Sequence, residues 1–310
     1  MKNFLDLPLK LSSLAKAQFV IIPFPLEKTP SYGKGTASGP AAVIKAYSQV
    51  ELWDEELNHD PSLAGIATLP IPKVRAQHQA ALEQLAGLSK AVYKKGQFPI
   101  VIGGEHSLTS GALKGFLAGG GKGEGLTIFH LDAHADLRDT WEGSKLSHAC
   151  ALRRVFELSP FLNLVQVGIR NISESEMPFW RAHQDRIKTF FARDKKHWDL
   201  QEIISYCKSK VYLTFDVDAL DSSLMPSTGT PEPGGLFWDE TLDILKALIK
   251  ERALVGADVT EFSPIKGFSA PDFVVAKLIF KIISYIVGTS KTPNFKHQIT
   301  NKLQIPISKF

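Results

Sequence analysis

The stretch "FHLDAHADLRD", from Phe129 to Asp139, packs three aspartates and two histidines into eleven residues behind the apolar start of "GLTIF". An isolated charge is costly to bury unless it is paired or bound to a metal, so acids in such a place need a partner. The chain also carries His106 in "GGEHS", Asp216 and Asp218 at the end of "VYLTFDVD", and Glu261 after "LVGADVT". Asp132, His134 and Asp136 recur at a spacing of two, as do Asp216 and Asp218. In extended backbone alternate side chains project to one side, so each set can converge. With His106 the total is four carboxylates and two imidazoles. Crowded anions raise one another's pKa unless cations stand between them. Two divalent ions would balance the charge, and would explain six ligands where one zinc takes three or four. Carboxylate-rich, thiolate-free ligation with some imidazole favours Mn²⁺. Ions about 3.5–4 Å apart would share bridging carboxylates and a water. The plainer alternative, strand-end residues capping helices, suits any one of these groups taken alone. Three segments with the same placement argue against coincidence.

The elements that must position these residues are legible as short apolar runs. Candidate strands begin at Phe19, Gly65, Phe98, Leu126, Leu164, Ile187, Val211 and Ala253. Helical spacing fills residues 77–95 and 238–250. Continuous rather than alternating hydrophobicity suits strands covered on both faces. Strand–helix alternation over the whole length predicts a three-layer α/β/α sandwich with one mainly parallel sheet. "AGGGKGEG", 118–125, reads as a loop and not a boundary, so residues 1–310 are expected to form one domain. His106, the aspartates and Glu261 all follow strands, and open parallel sheets bind ligands beyond their carboxyl ends.

Composition narrows the function classes. The 310 residues are 44% hydrophobic and 22% charged, with a net charge of +4. No stripe of Lys and Arg with interleaved aromatics is present, which argues against a nucleic-acid partner. Lys291, Lys296, Lys302 and Lys309 read as solvating charges. Cys150 and Cys207 are too few for a disulfide framework. Asp6, Pro8 and Lys10 break the N-terminal stretch, which lacks a secretory core. "FVVAKLIFKIISYIV", from Phe273, is interrupted by Lys277 and Lys281 and reads as a buried helix, not a membrane span. A cytoplasmic protein without a membrane partner is the expectation.

"GGEHS", "DAHAD" and "FDVDALDSSLMPSTGTPEPGG" resemble the three long signatures of the ureohydrolase family, which includes arginase and agmatinase. "SYGKGTASGPAAVIKA" is similar to the family's early loop and "DVTEFSP" to its last active-site strand. The resemblance covers nearly the full length. It implies an eight-stranded sheet, a binuclear manganese centre (two Mn²⁺ per subunit) and a homotrimer or homohexamer. Carried over by motif, it implies one manganese on His106, Asp132, Asp136 and Asp216. The other would lie on Asp132, His134, Asp216 and Asp218, with Asp132 and Asp216 bridging. His148 in "LSHACALRR" matches the family's mobile proton-shuttling histidine, and Glu261 its guanidinium-binding carboxylate. The plainer alternatives are a histidine making one hydrogen bond and a strand-end carboxylate in a surface ion pair.

A guanidinium carbon is a poor electrophile, so its hydrolysis needs hydroxide at neutral pH, which bound metals supply by acidifying water. Asp136 is expected to orient the nucleophile and pass its proton on. Glu105 is left open between a supporting role and none. His130 is read as structural on the opposite strand face, and Cys150 as a small residue of the pocket wall. Thr228 either shapes the pocket or is purely structural.

The arginase pattern, Asn and then His-Gly, is absent from "LRDTWEGSKLSHAC", while Asp139 and Glu142 place acids where a cationic tail would be met. "VGIRNISESE" resembles the agmatinase stretch. The expected small guanidino substrate is therefore agmatine, hydrolysed to putrescine and urea. N1-aminopropylagmatine is the runner-up, followed by guanidinobutyrate, formiminoglutamate and guanidine. A formiminoglutamate tail would want Arg153, Arg154 or Arg170. Single-zinc deacetylases resemble the fold but use paired histidines, and "HH" is absent here. A non-catalytic polyamine-binding relative would have lost a ligand or the shuttle, and none is lost.

Overall fold

Every residue of the runs Phe19–Phe24, Phe98–Gly103 and Leu126–Leu131 is buried, the signature of strands covered on both faces. The computed structural model describes residues 3–289, so the lysines at 291, 296, 302 and 309 lie outside the described residues. The eight apolar runs are eight strands: β1 (Phe19–Phe24), β2 (Ile66–Thr68), β3 (Phe98–Gly103), β4 (Leu126–Leu131), β5 (Asn163–Ile169), β6 (Ile187–Phe191), β7 (Lys210–Asp216) and β8 (Ala253–Thr260). They form one sheet in the order β2-β1-β3-β8-β7-β4-β5-β6, and every pairing is parallel.

The helices are α1 (Leu9–Ser12), α2 (Gly39–Tyr47), α3 (His78–Lys94), α4 (Leu108–Ala118), α5 (Ala151–Phe156), α6 (Met177–Ala182), α7 (Leu200–Ser205), α8 (Trp238–Glu251) and α9 (Ala270–Thr289). Period-two alternation along the strands divides the core in two. Phe19, Ile21, Ile100 and Ile102 pack with α2, α7, α8 and α9. Val20, Ile22 and Val101 pack on the other face with α3, α4 and α5. The result is the expected α/β/α sandwich. Helix α9 is buried along most of its length, and its Lys281, only 2% exposed, pairs at 2.9 Å with the fully buried Asp54. Among the described residues no helix is long and apolar enough to cross a membrane.

One feature of the strand order positions the site. β3 and β4 are consecutive in the chain, yet β8 and β7 lie between them. The connections therefore diverge there, and a crevice opens at the carboxyl ends of β3, β8, β7 and β4.

Candidate metal centre

The four central strands each deliver one segment to that crevice: His106 after β3, Glu261 after β8, Asp216 and Asp218 at the end of β7, and Asp132 to Asp136 after β4. The convergence expected from alternating extended backbone is produced differently. β4 stops at Leu131, and Asp132 Oδ1 accepts the backbone N–H of His134 at 2.6 Å. Asp216 Oδ1 likewise accepts the N–H of Asp218 at 3.0 Å. Each aspartate thus folds the chain back through an Asx turn, which returns the residue two positions on to its own strand end. Asp218 Oδ1 accepts the N–H of Ala133 at 3.0 Å and ties the two turns together. Asp136 follows with φ 55, and Glu261 has φ 63. Left-handed backbone is uncommon outside glycine and clusters at functional sites.

The polar atoms sort into two groups. His106 Nδ1 lies 3.1 Å from Asp132 Oδ2, 3.2 Å from Asp136 Oδ2 and 3.3 Å from Asp216 Oδ2. His134 Nδ1 lies 3.0 Å from Asp218 Oδ2 and 3.5 Å from Asp132 Oδ1. Asp132 therefore gives one oxygen to each group, as a bridging ligand would. His106 Nδ1 is buried and makes no hydrogen bond, although three carboxylates face it. Its other nitrogen explains why. Thr214 Oγ1 donates to Asp258 Oδ1 at 2.7 Å and so accepts from His106 Nε2 at 2.8 Å. The Asp258–Thr214 pair thereby turns the Nδ1 lone pair into the cage, the usual device for orienting an imidazole ligand. The residues present fit a pair of divalent cations.

The electrostatics of the protein chain alone agree. Burial pushes the Asp216 carboxyl well above the usual range, and the Asp218 and Asp132 charges push it further. Burial and then Asp132 raise Asp218 as well. Burial alone would lower His134, but Asp218 and Asp132 outweigh it and lift the imidazole to about 12. The His134 proton is thus the charge that faces Asp218 and Asp132 in the chain alone, and a bound dication would displace it.

Around the cage, one cavity is lined by five of the six expected ligands together with His148 and Glu261. Asp132 lies fully buried beneath. Glu261 Oε1 accepts the N–H of His106 at 2.7 Å, and burial followed by the Glu105 charge holds its carboxyl well above the usual range. His148 meets Thr29 and Ser31 on the facing loop. Glu105, left open by the sequence, is 1% exposed and accepts the N–H groups of Lys28 and Thr29.

Other expectations are corrected. Asp139 and Glu142 are exposed and do not line the cavity. Asp139 instead pairs with Arg154 at 2.8 Å and Lys145 at 3.5 Å, because the chain after Asp136 turns its acids outward. Of the pair Thr228 and Gly229, read as either pocket-shaping or structural, Gly229 lines the cavity, as does Thr230, whereas Thr228 bridges to Phe262. Cys150, expected on the pocket wall, is buried and does not line the cavity, which Ala149 lines in its place, and burial raises its thiol to about 12. His130 is on the same side as Asp132, two residues on, and its Nε2 lies 2.7 Å from Asp132 Oδ2.

The sequence did not single out Arg138, whose guanidinium stacks 4.0 Å from the Trp141 ring centre at the cavity wall. Nor did it single out Arg170 for its structural part. Arg170 donates to the carbonyls of Asp218 and Glu232 at 2.6 and 2.7 Å and fastens the loop after β7 to the strand-end turn.

A parallel sandwich with a two-lobed acid–imidazole cage at its carboxyl edge defines a binuclear metalloprotein of the α/β class. The model of the Arginase family matches residues 17–284, and the chain belongs to that family. An N(1)-aminopropylagmatine ureohydrolase of Synechocystis is 37% identical over 294 residues, covering 92% of this chain and 94% of that protein. An agmatinase of Pyrococcus horikoshii is 30% identical over 292 residues, covering 92% and 96%. The crystal structure of an agmatine ureohydrolase of Thermoplasma volcanium superposes with a TM-score of 0.81 at 27% identity, covering 93% and 95%.

Proposed function

We propose that the protein hydrolyses the guanidino group of agmatine, releasing urea and putrescine, with two Mn²⁺ held by His106, Asp132, His134, Asp136, Asp216 and Asp218. The observation that carries this reading is the orphaned Nδ1 of His106 facing three carboxylate oxygens. Two bound dications supply charge compensation and water acidified enough to attack near neutral pH. Glu261 receives the guanidinium through a charge-assisted contact and sets its carbon above the cage. Asp136, held in left-handed backbone, orients the attacking water and takes its proton. Water oxygen bonds to the guanidino carbon, the bond from carbon to the alkyl nitrogen breaks, and the leaving amine takes a proton through His148.

The amine tail is supported by what the arginines do. Arg153 pairs with Glu157, Arg154 with Asp139 and Glu157, and Arg170 with backbone carbonyls, which leaves Arg138, stacked on Trp141, as the arginine that lines the cavity among the described residues. The relatives named for N(1)-aminopropylagmatine favour that longer amine as a second reading. We further place the protein in the cytoplasm, in polyamine synthesis, as a homotrimer or homohexamer without nucleic-acid or membrane partners.

Urea release in added Mn²⁺ from agmatine, N1-aminopropylagmatine, arginine, 4-guanidinobutyrate and guanidine tests the proposal. An amine-tailed substrate should exceed arginine in kcat/KM by about 10⁴-fold, the scale of discrimination by unpaired polar groups. Preference for 4-guanidinobutyrate would give Arg138 a carboxylate to bind and would overturn the amine-tail reading.

A further inference from the structure

Thr29 Oγ1 stands at the centre of a small hydrogen-bond junction. It lies 3.0 Å from Glu105 Oε1 and 3.3 Å from His148 Nδ1, and it accepts the backbone N–H of His148 at 3.1 Å. A threonine hydroxyl has one proton to give and two lone pairs. Glu105 accepts from the backbone N–H groups of Lys28 and Thr29 and from Ser107 Oγ, so it offers Thr29 an acceptor and nothing else. A hydrogen bond to a carboxylate is roughly twice as strong as one between neutral groups, and the shorter of the two contacts is on the Glu105 side. The hydroxyl proton therefore goes to Glu105. Both lone pairs then accept from His148, one from its backbone N–H and one from Nδ1–H. The reverse arrangement would set a hydroxyl lone pair against a buried carboxylate oxygen, a contact between two acceptors with no proton between them.

We infer that Glu105, acting through Thr29, holds the neutral His148 imidazole as its Nδ1–H tautomer and leaves Nε2 as the nitrogen that takes and gives protons. Nε2 is on the side of Ser31 Oγ, 3.5 Å away, and both residues line the cavity. Glu105 and Thr29 are positioning residues, 76 positions apart in the chain. Asp258 and Thr214 do the same for His106, so two carboxylate–threonine–histidine relays serve one site. The inference rests on His148 being the proton carrier proposed above.

The test pairs a spectrum with kinetics. Histidine nitrogens are observed by ¹⁵N NMR in Mg²⁺-loaded protein at a pH where His148 is neutral, with the His148→Asn spectrum giving the assignment. The wild type should show a protonated Nδ1 and a bare Nε2. Thr29→Val should lose that preference and lower kcat for urea release about 10–100-fold with KM within twofold, the scale of a misplaced general acid. Thr29→Ser should restore both. A wild-type spectrum showing Nε2–H would overturn the inference even if no variant folds. Unchanged tautomer and kcat in Thr29→Val would also overturn it. Full activity in His148→Asn would instead remove the proton-carrier role, with the tautomer still decided by the spectrum.

Discussion

Asp136 reaches His106 only by adopting φ 55, and its Oδ2 lies 3.2 Å from Nδ1 of that ring. Asp136→Asn keeps the shape and removes the base. Urea release should fall by at least about 100-fold, the usual cost of losing a general base, while far-UV circular dichroism stays unchanged. A nearly active variant would take Asp136 out of the chemistry. Five of the six cage residues were legible in the sequence because their types and spacing of two are unusual in apolar strand ends, and His106 because it follows another such strand. Thr29, Thr214 and Asp258 were not, because a hydroxyl acts here only through partners brought near by folding. Thr29 meets His148 across 119 positions, and Thr214 meets His106 across 108. Asp139 and Glu142 misled for the complementary reason: acidity is visible in a sequence, but the direction of a turn is not.

Among the elements, the loop between β3 and α4 passes close against the backbone after β1. A β-carbon on Gly104 would lie 1.9 Å from the carbonyl oxygen of Leu26, and the Gly104 carbonyl also accepts the N–H of Glu261 at 2.8 Å. Gly104→Ala must therefore move backbone and not a side chain. We expect a loss of about 3 kcal/mol in urea denaturation, the upper end for overpacking, together with loss of activity. Wild-type stability would show that the β1 loop yields freely. All eight strands were found from apolar runs, since burial on both faces leaves an unbroken hydrophobic signal. The Asx turns at Asp132 and Asp216 were not, because Asp-x-His and Asp-x-Asp suit extended backbone equally well until β4 is seen to end at Leu131.

Across the whole molecule, two buried charge clusters behave in opposite ways. The Lys281 cluster is self-contained, its Nζ meeting Asp54 at 2.9 Å, Glu56 at 3.2 Å and Glu55 at 3.4 Å, so Lys281→Met strands the buried Asp54 carboxylate and should cost about 3–5 kcal/mol, read from chemical denaturation. Unchanged stability would mean that water reaches Asp54. The cage is not self-contained. His134 holds its proton to about 12 when folded and to 6.5 as a free imidazole. That contribution to metal-free stability is full below 6.5 and is lost as pH rises toward 12. Asp216 and Asp218, raised by burial, also favour the protonated fold, so their contribution declines with pH above 3.8. Cations reverse the slope by replacing those protons. The gap in Tm between Mn²⁺-loaded and metal-free protein should therefore widen from pH 6.5 to 9, measured by differential scanning calorimetry. A constant gap would mean that protons and metal do not compete for the cage.

The most direct measurement is metal content by inductively coupled plasma mass spectrometry after reconstitution with Mn²⁺ and exhaustive dialysis. Two manganese ions per chain are expected, falling in Asp132→Ala because that residue serves both groups. One ion per chain, or none, would contradict a binuclear centre.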